Sequence, residues 1–173
     1  MQGISLIGMP YSGKSAVGKR VAAFIGWQYV DLDLYIKERD HLSVGEITNA
    51  HGGQRLVDVE GNYLLAFPTF ENTVFAPGGS MVYNEKAMER LKKETTVVYI
   101  DTPLSVLEER ASRDDISMRG IVGLDEEGLA GVLRKRQPLF EKFADYTCVW
   151  PWKDADALAL RIITDLKLEN AVS

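Results

Sequence analysis

The 173-residue chain has one cysteine, Cys148, and no excess of positive charge. It also has no apolar run that approaches membrane-spanning length. A single thiol excludes an internal disulfide and a thiolate metal cluster, and it suits a reducing compartment. Cys148 reads as a core residue. The missing apolar run means that the sequence predicts no membrane partner. A formal net charge of −5 argues against a nucleic-acid-coating surface and repels anions at long range, so any phosphate site has to be locally basic. The N-terminus enters an apolar stretch without a basic region or a small-residue cleavage site, so no signal peptide is expected and the expected compartment is the cytoplasm. No repeat, low-complexity tract or Pro/Ser-rich linker divides the chain, which reads as one domain over 1–173, expected to be a monomer.

What is present is concentrated near the start. Gly8-Met9-Pro10-Tyr11-Ser12-Gly13-Lys14-Ser15 follows the apolar Ile4-Ser5-Leu6-Ile7 and precedes a helix-like stretch from Ala16 to Phe24. This is G-x-x-x-x-G-K-[ST] between a strand and a helix. Its glycines let the loop turn tightly, so that backbone N–H groups and the positive end of the helix dipole converge on phosphate oxygens. Lys14 adds a point charge for the β- and γ-phosphates, and the Ser15 hydroxyl is suited to the Mg²⁺ that accompanies a nucleoside triphosphate. The backbone from Gly8 through Ser12, Gly13 and Ala16 completes the expected phosphate site.

Further along, Trp27 to Asp33 reads as a short strand ending in two acids, Asp31 and Asp33, on one side of the extended chain. Asp33 alternatively caps the helix that starts near Leu34. Ser43-Val44-Gly45-Glu46 resembles a capping box, and a helix is expected from Gln54 to Ala66, with Glu60 one of its few charges. Thr73–Ala76 delivers Pro77-Gly78-Gly79-Ser80, where adjacent glycines mark either a close approach to a ligand or a plain turn. Thr95–Asp101 is β-rich, and Thr102-Pro103 reads as the cap and first turn of the next helix. Residues 112–124 mix charge with glycine and are expected to form a mobile lid. A helix from Asp125 to Lys142 carries Arg134-Lys135-Arg136, a cluster that by itself reads as a solvated face. One more strand runs from Asp145 to Trp150, then a helix from Asp154 to Leu168, with 169–173 expected to fray. The alternation gives a three-layer α/β/α fold around a parallel sheet of about five strands, with the loops after the strands on one edge.

The set of motifs resembles the shikimate kinase family of P-loop small-molecule kinases from about Ser5 to Asp145. The resemblance rests on Gly8 to Ser15 with Gly18, Asp31-x-Asp33, Gly52 before Glu60, and Gly78-Gly79. It continues in Leu107-x-x-Arg110, Arg119 and Arg136-x-Pro138-x-Phe140-Glu141-x-x-Ala144-Asp145. It implies Mg-ATP-dependent phosphorylation of a ring hydroxyl of shikimate, on the route to chorismate and the aromatic amino acids. Residue by residue, Asp33 matches the acid that contacts the accepting hydroxyl and Asp31 the acid near the metal's water shell. Arg110 matches a residue beside adenine, and Arg119 the lid arginine that approaches the transferring phosphate. Gly78 and Gly79 match the backbone cradle for the substrate, and Arg136 the arginine that pairs with its carboxylate. The segment 33–67 corresponds to the substrate-binding helices.

Three positions depart from the family pattern. Val57 stands where an arginine grips the substrate carboxylate, Ser80 replaces a third glycine, and Gly120 replaces the proline after the lid arginine. Arg55 lies two positions from Val57, roughly 200° around a helix, and is not expected to replace the missing cation. One lost bidentate arginine weakens carboxylate binding by one to several factors of ten, on the order of 1.5–3 kcal/mol per charged hydrogen bond. Two other readings therefore stand beside shikimate phosphorylation. One is a kinase for another small hydroxylated metabolite, and the other is a catalytically impaired nucleotide-binding protein.

Overall fold

The computed structural model describes residues 3–124 and 126–168. The elements in chain order are β1 (Gly3–Ile7), α1 (Lys14–Ile25), β2 (Gln28–Asp31), α2 (Leu32–Asp40), α3 (Val44–His51), α4 (Gly53–Leu65) and β3 (Thr73–Ala76). They continue with α5 (Glu85–Glu94), β4 (Thr95–Asp101), α6 (Leu104–Ala111), α7 (Gly128–Phe143), β5 (Tyr146–Val149) and α8 (Ala155–Asp165). The five strands are parallel in the order β2-β3-β1-β4-β5. Every strand therefore ends at the same edge of the sheet, and β1, which carries the phosphate loop, lies in the middle.

Alternation along the strands separates two apolar layers. Val98 and Ile100 of β4 join Ile4, Leu6, Val74 and Cys148 beneath α1 and α8. Val97 and Tyr99 of the same strand join Phe75 and the opposite layer, which α2–α7 cover. Cys148 is fully buried, as its solitary occurrence suggested.

The capping box at Ser43 and Glu46 forms as expected: the Ser43 hydroxyl accepts from the Glu46 N–H, and the Glu46 carboxylate accepts from the Ser43 N–H. The alternative cap at Asp33 and the expected cap at Thr102 do not form. Asp31, not Asp33, caps α2: its Oδ1 accepts from the N–H groups of Asp33 and Leu34, so β2 stops at Asp31 and Asp33 sits in the first helical turn. Thr102 does not cap α6, because its hydroxyl donates instead to the Ser12 carbonyl at 3.2 Å, tying β4 to the phosphate loop. The expected start of α7 at Asp125 and the tail 169–173 lie outside the described residues. Among the described residues, no helix is long and apolar enough to cross a membrane.

Candidate active site

The ends of β1, β2, β3 and β5 open into a cavity of roughly 440 Å³. Its floor is the phosphate loop. Gly8 has φ +150° and a side chain there would meet the Ile100 carbonyl at 2.9 Å, while Gly13 has φ +97°. Both positions need glycine, because left-handed backbone strains other residues and the loop lies hard against β4. Tyr11 between them adopts φ +67°. Gly8 and Ser12 form the base of the loop rather than its lining: the Ser12 N–H is spent on the Met9 carbonyl at 3.2 Å, and Gly13, Lys14, Ser15 and Ala16 face the cavity.

The Lys14 ammonium donates to the carbonyls of Gly8 and Met9 at 2.9 and 2.7 Å. Protein around it excludes water and pushes its pKa down to about 8, against the pull of Asp33. Ser15 donates to Asp31 Oδ2 at 3.0 Å, and the Tyr29 hydroxyl donates to the same oxygen at 3.1 Å. One hydroxyl and one carboxylate at the end of β2 are the hard oxygen donors that Mg²⁺ takes when a nucleotide supplies the rest. No group of three acidic, histidine or cysteine side chains forms a metal cage among the described residues.

Asp33 faces the same cavity, with Oδ1 buried and without a hydrogen-bond partner. Burial, and then the Asp31 charge, raise its pKa to about 6, opposed by Lys14 and Arg119. Gly78 and Gly79 leave no room for side chains. A side chain at Gly78 would begin 1.9 Å from Glu60 Oε1 and 3.2 Å from Asp33 Oδ1, and one at Gly79 would begin 2.8 Å from Arg136 Nη1. The glycines bring backbone against the site's charged groups.

The basic cluster on α7 divides. Arg134 and Lys135 are exposed, but Arg136 is only 1% exposed and faces the cavity. Its Nη2 donates to the Val122 carbonyl at 2.7 Å, and the Tyr83 ring lies 5.3 Å from the guanidinium. Its Nε has no partner, and no carboxylate pairs with it among the described residues.

Residues 112–124 hold a short 3-10 turn, Ile116–Arg119. Arg119 pairs with Asp114, its Nε donating at 2.6 Å, and its guanidinium lies 5.1 Å from the Tyr11 ring above the phosphate loop. Gly120 has φ +58°, which proline cannot adopt, and a side chain would strike the Val44 carbonyl at 2.7 Å. The departure from proline therefore accompanies a tight seat of this segment on α3. At the other end of the cavity Arg110 donates to the Tyr11 carbonyl at 2.8 Å and lies 5.8 Å from the Trp150 ring.

Sequence reasoning missed Glu60 and Ser80 as site residues. Glu60 lines the cavity, and the Ser80 hydroxyl donates to its Oε2. A lone acid in the apolar face of α4, four positions after Leu56, was the available signal. Arg55 is exposed and Val57 is buried, so no cation of α4 reaches Glu60.

The model of the family described as shikimate kinase matches residues 10–167. The chain belongs to the shikimate kinase family. A shikimate kinase of Thermodesulfovibrio yellowstonii is 33% identical over 146 residues, covering 84% of each chain. One of Moorella thermoacetica is 32% identical over 164 residues, covering 95% of this chain and 94% of that one. The structure of shikimate kinase from Acinetobacter baumannii in complex with shikimate superposes with a TM-score of 0.86 at 28% identity, covering all of this chain and 96% of the other. As a shikimate kinase family member the chain is an ATP-dependent kinase that uses Mg²⁺ and acts on a small molecule.

Proposed function

We propose that the chain transfers the γ-phosphoryl group of ATP to a hydroxyl of shikimate, giving shikimate 3-phosphate and ADP. The observation that carries the acceptor class is Arg136. A buried guanidinium with an unpartnered Nε and no carboxylate partner among the described residues is costly unless a ligand supplies the anion, and shikimate offers one carboxylate beside its hydroxyls.

In this reading the accepting hydroxyl hydrogen-bonds to the free Oδ1 of Asp33, which orients it and takes its proton as the oxygen bonds to phosphorus and the bond to ADP breaks. Orientation is the larger share if the transition state is loose. Lys14 and Arg119 stabilise the charge that spreads over the phosphoryl oxygens. For that, Arg119 exchanges Asp114 for phosphate, and Lys14 exchanges the loop carbonyls for phosphate oxygens. Ser15 and Asp31 hold Mg²⁺, which when bound neutralises phosphate charge. Arg110 sits beside the base, and residues 112–124 close over the nucleotide. Gly78 and Gly79 bring the backbone to the acceptor.

A second reading, another small hydroxylated metabolite, is favoured by one observation. Position 57 offers no cation, and Val44, Leu56 and Ile121 make that side of the cavity apolar. ADP release coupled to a dehydrogenase assay decides between them. Stimulation by shikimate supports the first reading, and no stimulation at millimolar shikimate overturns it. Sugar acids, polyols and nucleosides screened in the same assay test the second.

A further inference from the structure

Glu60 and Arg136 are the two charged residues buried to 1% exposure among the described residues. They have opposite charge and stand against adjacent glycines, Glu60 at Gly78 and Arg136 at Gly79, yet no ion pair joins them among the described residues. Glu60 instead takes its hydrogen bond from Ser80, itself 4% exposed. Val57, three positions earlier on α4, brings no charge to it. The two positions at which the acceptor side departs from the family pattern therefore bear on one carboxyl group.

We propose that Glu60 and Ser80 work as an uncharged, hydrogen-bonded pair that sets acceptor specificity, meeting the acceptor's neutral hydroxyls and leaving Arg136 free for its single anionic group. This rests on the reading that the pocket takes a small hydroxylated acid. An ionised Glu60 beside Arg136 would capture the guanidinium and displace the acceptor's carboxylate, because charges in a low-dielectric site pair strongly. A neutral Glu60 does not compete, and its carboxyl keeps both a donor and an acceptor for hydroxyl groups. Ser80 satisfies Oε2, which a glycine there would leave without a partner in a buried site.

The groups that face Glu60 agree with a retained proton. Burial pushes its pKa up to about 8 and Asp33 on α2 adds to the push, while Ser80, Arg136 on α7 and Lys14 on α1 oppose it. Raising the pH through this range ionises Glu60, so the acceptor's KM is expected to rise on the alkaline side. Lys14 titrates in the same range on the nucleotide side, and its effect falls on the KM for ATP.

The first test needs no acceptor. In the ligand-free protein at pH 7, the infrared difference between wild type and Glu60→Gln should contain a protonated-carboxyl stretch that disappears above pH 9. Its absence at pH 7 overturns the proposal. The second test reads kinetics with shikimate. Ser80→Ala should raise the acceptor's KM about three- to tenfold with a smaller change in kcat, and Ser80→Thr should recover most of it. In Glu60→Gln the alkaline rise in that KM should vanish, whatever the variant's overall rate. An unchanged KM in Ser80→Ala, or an alkaline rise that persists in Glu60→Gln, overturns the proposal. So does a preference for hydroxy acids that also carry an ammonium group, because such acceptors would use an ionised Glu60. If shikimate is not turned over but the infrared band is present, the reading of the substrate fails and the uncharged pair stands.

Discussion

The two halves of the cavity are built by different means. The phosphate half is mostly backbone: left-handed positions at Gly8, Tyr11 and Gly13, a lysine folded onto loop carbonyls, and N–H groups at the start of α1. The half proposed for the acceptor is mostly side chains from distant positions, Asp33, Glu60, Ser80 and Arg136, collected by α2, α4, the turn after β3 and α7. A backbone cradle recognises what all nucleoside triphosphates share and tolerates little variation in sequence. A pocket of side chains changes its ligand by single substitutions, and Ser80 lines it, while Val57 is buried one turn from Glu60 on α4.

The contrast can be broken from either side. On the phosphate side, Arg119→Ala should lower kcat about 10³-fold while the dissociation constant for ADP moves little, as expected for a cation that acts on the transferring group. Stopped-flow or coupled assays with isothermal titration of ADP check both. Between the halves, Asp33→Asn should cost about 10²-fold in kcat, with the KM for ATP preserved. Unchanged acceptor-dependent turnover would remove Asp33 from its proposed role.

On the acceptor side, Arg136→Met should raise the KM for shikimate about 10- to 100-fold and leave that for ATP unchanged. The same variant should melt at a higher temperature than the wild type when free of ligand, by about 2–4 °C for each kcal/mol of relieved burial. Scanning calorimetry with and without acceptor reads this directly. The smallest effect is graded by pH. Lys14 must be protonated to hold phosphate, and its pKa in the free protein lies near 8, so ATP binding above pH 8 takes up a proton. Its dissociation constant should rise about tenfold per pH unit there and stay flat below pH 7. Calorimetry in buffers of different ionisation enthalpy would detect the uptake.

Much of the phosphate half was legible because one short stretch carries it: a strand, six residues of loop, a lysine and a helix specify its geometry locally. The parallel sheet was legible for a similar reason, since apolar runs alternate with amphipathic helices. The acceptor half was legible only in pieces. Charge pattern alone made Arg136 part of a solvated cluster, and only the family resemblance singled it out; α7 turns it inward while Arg134 and Lys135 stay in solvent. Glu60 was visible as a charge in an apolar stripe, but its partner Ser80 lies twenty positions away, in the turn after β3. The misplaced caps have a common cause. Asp31 and Thr102 each have competing partners, and the tertiary fold decided the competition: Asp31 serves the helix, Ser15 and Tyr29 together, and Thr102 serves the phosphate loop.

The guanidinium of Arg136, which has no carboxylate partner among the described residues, has a consequence for the protein's life in a cell. A site that stays costly until its ligand arrives makes the acceptor a stabiliser of the folded chain, by an amount that grows with the logarithm of its concentration. Cells rich in acceptor should keep more of the kinase in its native form and lose less to proteolysis, while starvation for the acceptor should shorten its half-life. Abundance would then track the supply of the molecule the enzyme consumes, without a dedicated regulator.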